Sequence, residues 1–360
     1  MQRPYNFSAG PSMLPAAVLE QARDELMDWQ GSSLSVMEVS HRSPPYQGLA
    51  HKAEADLRDL LKVPAEYEVL FLQGGATGQF AAVPMNLLRK RTRVSYLDTG
   101  IWSQKAIAEA RHYAEVIEVA SGHSSGYCDI PPEFEWQHDE ASAYLHYTSN
   151  ETIGGVQFQH IPDALGIPLV CDMSSDLLSR PLDLSRFGLI YAGAQKNMGP
   201  SGITVVIVRG DLLGSAIRQT PSIFNYGIQA AEKSMLNTPP TYAWYLLGLV
   251  LEWLKRQGGL EAIAEVNHQK ADILYQAIDR SSLFHNPIAH TCRSRMNVPF
   301  LIKNTALESS FLREAKQHGL VHLEGHRSVG GFRASIYNAM PLEGVNALVD
   351  FMVEFERRYG

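Results

Sequence analysis

From about residue 68, short apolar runs that stop at Gly, Asp or Ser alternate with stretches of helical spacing, and few architectures accept that pattern. "VLFLQGG" precedes "TGQFAAVPMNLL", "RVSYLDTG" precedes "WSQKAIAEARHYA", and "SAYLHYTSN", "PLVCDMSS", "LIYAGAQK" and "ITVVIV" follow. Strands alternating with helices predict an open, largely parallel sheet covered by helices, the α/β class. In such sheets a ligand sits beyond the carboxyl ends of the strands.

The last third of the chain reads differently. After "NTPPT", prolines placed for a helix start introduce an apolar helix over residues 241–255. In "LEAIAEVNHQKADILYQAI", Ala271, Leu274, Tyr275 and Ile278 share one helix face. "RMNVPFLI", "LVHLEG" and "GFRASIYN" read as strands, and "VNALVDFMVEFERRYG" as a closing amphipathic helix. We expect a large α/β domain over residues 16–256 and a smaller α+β domain from residues 1–15 and 257–360.

A net charge of −7 over 360 residues argues against a nucleic-acid binder, which needs surplus Lys and Arg. Any anionic ligand must then be met by a local cluster of cations. Three widely spaced cysteines, Cys128, Cys171 and Cys292, suggest neither a disulfide framework nor a metal knuckle, and fit a reducing cytoplasm. The longest apolar stretch, "AWYLLGLVLEWL", is too short to span a bilayer, so no membrane association is expected.

Four features fall at predicted strand ends: Gly74-Gly75-Ala76-Thr77, Trp102, Asp172 and Lys196. Each has a plain structural reading: a tight turn, a core aromatic, a cap and a surface ammonium. Together they suit one ligand. Two glycines before a helix let backbone N–H groups hold a phosphate. An aspartate can keep a pyridine nitrogen protonated, and an indole can stack on the ring. A lysine in a partly desolvated pocket loses its proton readily and can form a Schiff base with an aldehyde. Neither GxGxxG nor GxxxxGK[ST] occurs, which removes the common nucleotide fingerprints. The four features point to pyridoxal phosphate.

Along nearly its whole length the chain resembles the phosphoserine aminotransferases, class-V aminotransferases of the aspartate aminotransferase-like (type I) pyridoxal-phosphate fold. The resemblance rests on "NFSAGPSMLP", "SVMEVSHRS", "GGATGQFAAVPMNLL", "NETIGGV", "YAGAQKNMGPSG", "LNTPPTYAWYLLGL", "SRMNVPF" and "GHRSVGGFRASIYNAMPLEGV". It implies a Schiff base between Lys196 and the cofactor, one per subunit, Asp172 on the pyridine nitrogen, Trp102 stacked on the ring and Thr152 on the cofactor's oxygen side. Ala76 and Thr77 would hold the phosphate through backbone N–H groups, helped by Gln195. Asn237 and Thr238 would reach the partner subunit's cofactor, which implies a homodimer. Arg333 would take the α-carboxylate, and His41 and Arg42, with His326 and Arg327 of the partner, the distal anion. Many such proteins have arginine where this chain has Thr77, and serine where it has Ala9.

The implied reaction moves an amino group from L-glutamate to 3-phosphohydroxypyruvate, giving O-phospho-L-serine and 2-oxoglutarate in L-serine biosynthesis. A second product, 4-phosphohydroxy-L-threonine for pyridoxine biosynthesis, is also implied. Two alternatives stay open: another reaction on the same cofactor, such as desulfuration or transfer from alanine, and a non-enzymatic binding module. "GHSSG" at 122–126 matches GxSxG, but the prolines after it read as a turn and not as the helix a nucleophile elbow needs. His318, His322 and His326 lie four apart, which in extended chain puts successive members about 13 Å from each other. No metal site is expected.

Overall fold

The computed structural model describes residues 3–360. Its strands are β1 (Tyr5–Asn6), β2 (Tyr67–Leu72), β3 (Arg93–Asp98), β4 (Glu115–Ser121), β5 (Leu145–Thr148), β6 (Leu169–Asp172), β7 (Leu189–Gly193), β8 (Thr204–Arg209), β9 (Phe284–His285), β10 (Asn297–Ile302), β11 (Leu320–Val321) and β12 (Phe332–Ser335). Its helices are α1 (Ala16–Asp24), α2 (Pro44–Leu61), α3 (Gly75–Leu87), α4 (Ile101–Ala110), α5 (Tyr226–Ala231), α6 (Thr241–Arg256), α7 (Gly259–Arg280), α8 (Glu308–Gln317) and α9 (Leu342–Tyr359).

Seven strands form the main sheet in the order β2-β8-β7-β6-β5-β3-β4. All run the same way except β8, which lies antiparallel between β2 and β7. Strands β5, β6 and β7 are buried at every residue, while the edge strand β4 is largely not. That contrast explains the continuous apolar runs of the sequence: a central parallel strand is covered on both faces and has no polar side to alternate with. One core joins a sheet face to α1, α2 and α6, and a second joins the other face to α3, α4 and α5.

The smaller core is phenylalanine-rich. Phe284, Phe300, Phe311, Phe332, Phe351 and Phe355 pack edge-on and tilted, with Phe311 and Phe332 centroids 4.4 Å apart. The antiparallel sheet β12-β10-β9 carries it, and Phe7 from the N-terminal segment inserts into it. The 22-residue α7, about 33 Å long, links the two halves. Its Leu260 and Ile263 lie in the main core and Ala271, Leu274 and Ile278 in the smaller one.

One predicted strand is cut short. "LVHLEG" forms only the two-residue β11, paired parallel with β1, because His322 takes φ 61° and turns the chain out of the extended conformation. The run "GHSSG" is a single 3-10 turn, Gly122–Ser125, ended by a left-handed Gly126.

Candidate active site

Five parallel strands deliver their carboxyl ends to one side of the sheet. Beyond β2 the chain turns through Gly74 and Gly75, beyond β3 it reaches Trp102, and beyond β5 it reaches Thr152. Asp172 ends β6, and Lys196 lies in the connection from β7 back to β8. All of these segments line one cavity of about 310 Å³, which Ala9 and Gly10 close from the N-terminal segment and His326 and Arg333 from the smaller half.

Lys196 Nζ donates to Thr152 Oγ1 at 2.7 Å and lies 5.6 Å from the centre of the Trp102 ring. Burial lowers its pKa to about 8, against the opposing pull of the Asp172 and Glu151 carboxylates. The free amine is thus within reach near neutral pH. The main chain around it is fixed from the N-terminal segment, since Ser12 N–H donates to Gln195 O at 2.9 Å and Ser12 Oγ to Lys196 O at 2.5 Å.

Asp172 is buried, and its Oδ1 accepts from Ser174 N–H at 2.9 Å. Burial raises its pKa, while the Ser174 hydrogen bonds and the Lys196 charge oppose the shift. A carboxylate in that balance favours a cationic N–H donor placed against it.

Trp102 opens α4, and its position is set by a residue the sequence reading did not single out. Glu151 is buried, its Oε2 accepting from Trp102 N–H at 3.0 Å and its Oε1 from Ser103 N–H at 2.9 Å. Burial pushes the Glu151 pKa up to about 7 despite these donors. No local signal could have revealed it, because Glu151 and Trp102 are 49 positions apart and meet only when β3 and β5 pair.

Gly74 and Gly75 hold φ of 96° and 64°, a left-handed turn that costs glycine little and leads straight into α3. The first N–H groups of α3, including those of Ala76 and Thr77, have no intrahelical partner, and Gln195 lines the same cavity. The Thr77 side chain is exposed, and Ala9 contributes its carbonyl, which accepts from Tyr337 OH at 2.7 Å.

Arg333 on β12 and His326 both line the cavity, as does Lys105, whose Nζ is 4.5 Å from the Trp102 ring centre. Burial and the charges of Arg333, Arg327 and Lys105 lower the His326 pKa. The resemblance takes His326 from the partner subunit; here it faces the cavity of its own chain. His41, Arg42, Asn237, Thr238 and Arg327 do not line this cavity; Arg42, Asn237 and Thr238 are exposed. The buried Nε2 of His41 has no partner among the described residues.

Four buried polar atoms of cavity-lining residues also lack partners among the described residues: Thr148 Oγ1, Asn150 Oδ1, Trp102 Nε1 and Arg333 Nε. Buried polar groups are normally paired, so these await a ligand or water. The donor turn, the amine, the buried acid and the indole are the complement of a phosphorylated pyridine aldehyde, and the residues fit pyridoxal phosphate.

The sequence profile of the Aminotransferase class-V family matches residues 4–348. The phosphoserine aminotransferase of Laribacter hongkongensis is 59% identical over 357 residues, covering 99% of each chain. Among solved structures, the phosphoserine aminotransferase of Bacillus circulans subsp. alkalophilus superposes with a TM-score of 0.98 at 46% identity, covering 100% of both chains. The phosphoserine aminotransferase of Trichomonas vaginalis, solved with pyridoxal phosphate bound, gives 0.94 at 41% identity over 98% of this chain and 100% of that one.

Proposed function

The chain belongs to the class-V aminotransferase family and is a pyridoxal-phosphate-dependent aminotransferase, and on that premise we propose that it transfers the amino group of L-glutamate to 3-phosphohydroxypyruvate, forming O-phospho-L-serine and 2-oxoglutarate. The single observation that carries the substrate assignment is local. An acidic protein gathers Arg333, His326 and Lys105 around one cavity whose floor already holds a reactive amine.

Bound there, pyridoxal phosphate supplies an aldehyde that accepts the amino group and a ring that draws electrons from the substrate's α-carbon. Lys196 would hold the cofactor through Nζ. The same Nζ, with a pKa of about 8, would be suited to moving a proton at the substrate's α-carbon. Asp172 would keep a proton on the ring nitrogen. Trp102 would cover one ring face and exclude water from it, and Thr152 would offer its hydroxyl on the oxygen side. The Ala76 and Thr77 N–H groups and Gln195 would hold the phosphate.

Arg333 binds the α-carboxylate in a two-pronged contact. His41, Arg42, His326 and Arg327 hold the distal anion, which is a phosphate in one half-reaction and a carboxylate in the other. One cationic pocket therefore serves both substrates in turn. Since His41, Arg42 and Arg327 all lie off the cavity of their own chain, we infer that the active unit is a homodimer in which Asn237 and Thr238 also reach the partner's cofactor. The same pocket would also serve the formation of 4-phosphohydroxy-L-threonine for pyridoxine biosynthesis. Among the described residues no helix is long and apolar enough to cross a membrane, and we propose a cytoplasmic enzyme.

Steady-state rates with glutamate or alanine as donor, and with hydroxypyruvate with or without its phosphate as acceptor, test the assignment. Glutamate and the phosphorylated acceptor should each win by at least about tenfold, the value of one charge-assisted contact. An advantage for alanine, or none for the phosphate, overturns it.

A further inference from the structure

We propose that Glu151 is a positioning residue for the cofactor site: its carboxylate clamps the first turn of α4 and so sets the plane in which the Trp102 ring meets the cofactor. The inference rests on the reading of Trp102 as the stacking residue and adds the group that aims it.

The clamp is bidentate. Each carboxylate oxygen takes one main-chain N–H, from Trp102 and from Ser103. These are among the N–H groups a helix leaves without an internal acceptor, and an acceptor there favours negative charge. The usual cap is absent, because the residue preceding α4 is Gly100, with no side chain to offer. Gly100 also makes the room. A Cβ at that position would lie 2.6 Å from the Glu151 carboxyl carbon and 2.8 Å from Oε2. Its φ of 161° is extended backbone open to any residue, so the glycine serves space and not conformation. The vacated volume is filled by a carboxylate from another strand end.

The clamp is anchored at both ends. Glu151 N–H donates to Val156 O at 2.8 Å, and Gly155 N–H donates to Glu151 O at 2.7 Å, so the main chain of Glu151 is closed into a turn. Its neighbours Asn150 and Thr152 line the same cavity. Ser103 completes the other side, its Oγ accepting from Thr99 and Gly100 N–H at 2.8 and 2.9 Å. Trp102 therefore sits between two fixed turns, and among the described residues the side-chain hydrogen bonds that join them are those of Glu151.

A double-mutant cycle on cofactor affinity tests this, with the visible circular dichroism of the bound cofactor as a second readout. E151Q replaces one oxygen by an NH2 group that cannot accept, and G100A displaces an unaltered carboxylate. Each should weaken cofactor binding about tenfold and reduce the dichroic band, and each should speed hydrogen exchange at the Trp102 and Ser103 amides of the cofactor-free protein. In a W102A background, itself weaker in cofactor binding, E151Q should add less than about twofold. A full tenfold effect of E151Q in that background would mean that Glu151 acts on Lys196 or on the fold at large, and would overturn the proposal. If W102A leaves cofactor affinity unchanged, the stacking role fails first and the proposal with it. If E151Q and G100A leave affinity and amide exchange unchanged while W102A weakens binding, only the positioning role falls.

Discussion

Gly155 in "NETIGGV" offers a sharp test of how the two halves meet. It takes φ 82°, its carbonyl accepts from Ser294 N–H at 2.9 Å, and a Cβ built there would lie 2.3 Å from Cδ and 2.6 Å from Cγ of Pro299. Pro299 is buried in β10, and its ring has no rotamer to escape into. Gly155→Ala therefore incurs two costs. Left-handed backbone costs an L-residue about 1–2 kcal/mol, and overpacking against a rigid neighbour about 1–3 kcal/mol. Reduced entropy of the unfolded chain returns about 0.4–1 kcal/mol, leaving a net loss of roughly 2–4 kcal/mol. Gly166 supplies the control: it takes φ 87° with nothing within 4 Å of its Cβ, so Gly166→Ala bears only the backbone cost, about 1 kcal/mol after the same offset. Urea unfolding midpoints of both variants, compared at equal slope, give the difference directly. If Gly155→Ala loses no more than Gly166→Ala, the packing argument is refuted.

Lys270 is fully buried and donates to Ile336, Tyr337 and Met340 carbonyls at 3.0, 2.8 and 3.0 Å. Lys270→Met takes this donor from all three; Tyr337 O keeps Met340 N–H at 2.9 Å, while the loss at the Ile336 and Met340 carbonyls should cost about 2 kcal/mol or more in unfolding free energy, and a loss below about 1 kcal/mol would show that those carbonyls are not dependent on it. Arg333→Gln should raise KM for glutamate and for phosphoserine alike by about 10–100-fold, since both present an α-carboxylate; an effect on only one of them would reassign the residue. In cofactor-free protein, aldehyde capture by Lys196 should rise with pH through about 8, and a midpoint near the ordinary lysine value would contradict the desolvated site. The linked stability follows in sign: between about pH 8 and the ordinary lysine pKa the unfolded chain holds more protons, so stability should rise with pH across that window.

Much of the cavity wall was legible in the sequence because strand ends in a parallel sheet are punctuated. Gly74, Asp172 and Lys196 each follow an apolar run, and the sheet order brings those runs side by side. Contacts between distant turns were not legible. Glu151 under α4, Ser12 on the Lys196 main chain, and Tyr337 on Ala9 pair residues 49, 184 and 328 positions apart, and no periodicity encodes such a distance. The strand expected over "LVHLEG" failed for a local reason. Its alternation of apolar and polar residues is sound, but the left-handed backbone at His322 stops the ladder after two residues.

The central claim is that one amine, Lys196 Nζ, carries the cofactor and the reaction. Borohydride reduction of the holoenzyme followed by peptide mapping tests it most directly. The label should appear on the peptide containing Lys196, and prior incubation with glutamate should diminish it. A label on Lys105, the other amine beside the Trp102 ring, or on no lysine at all, would contradict the account.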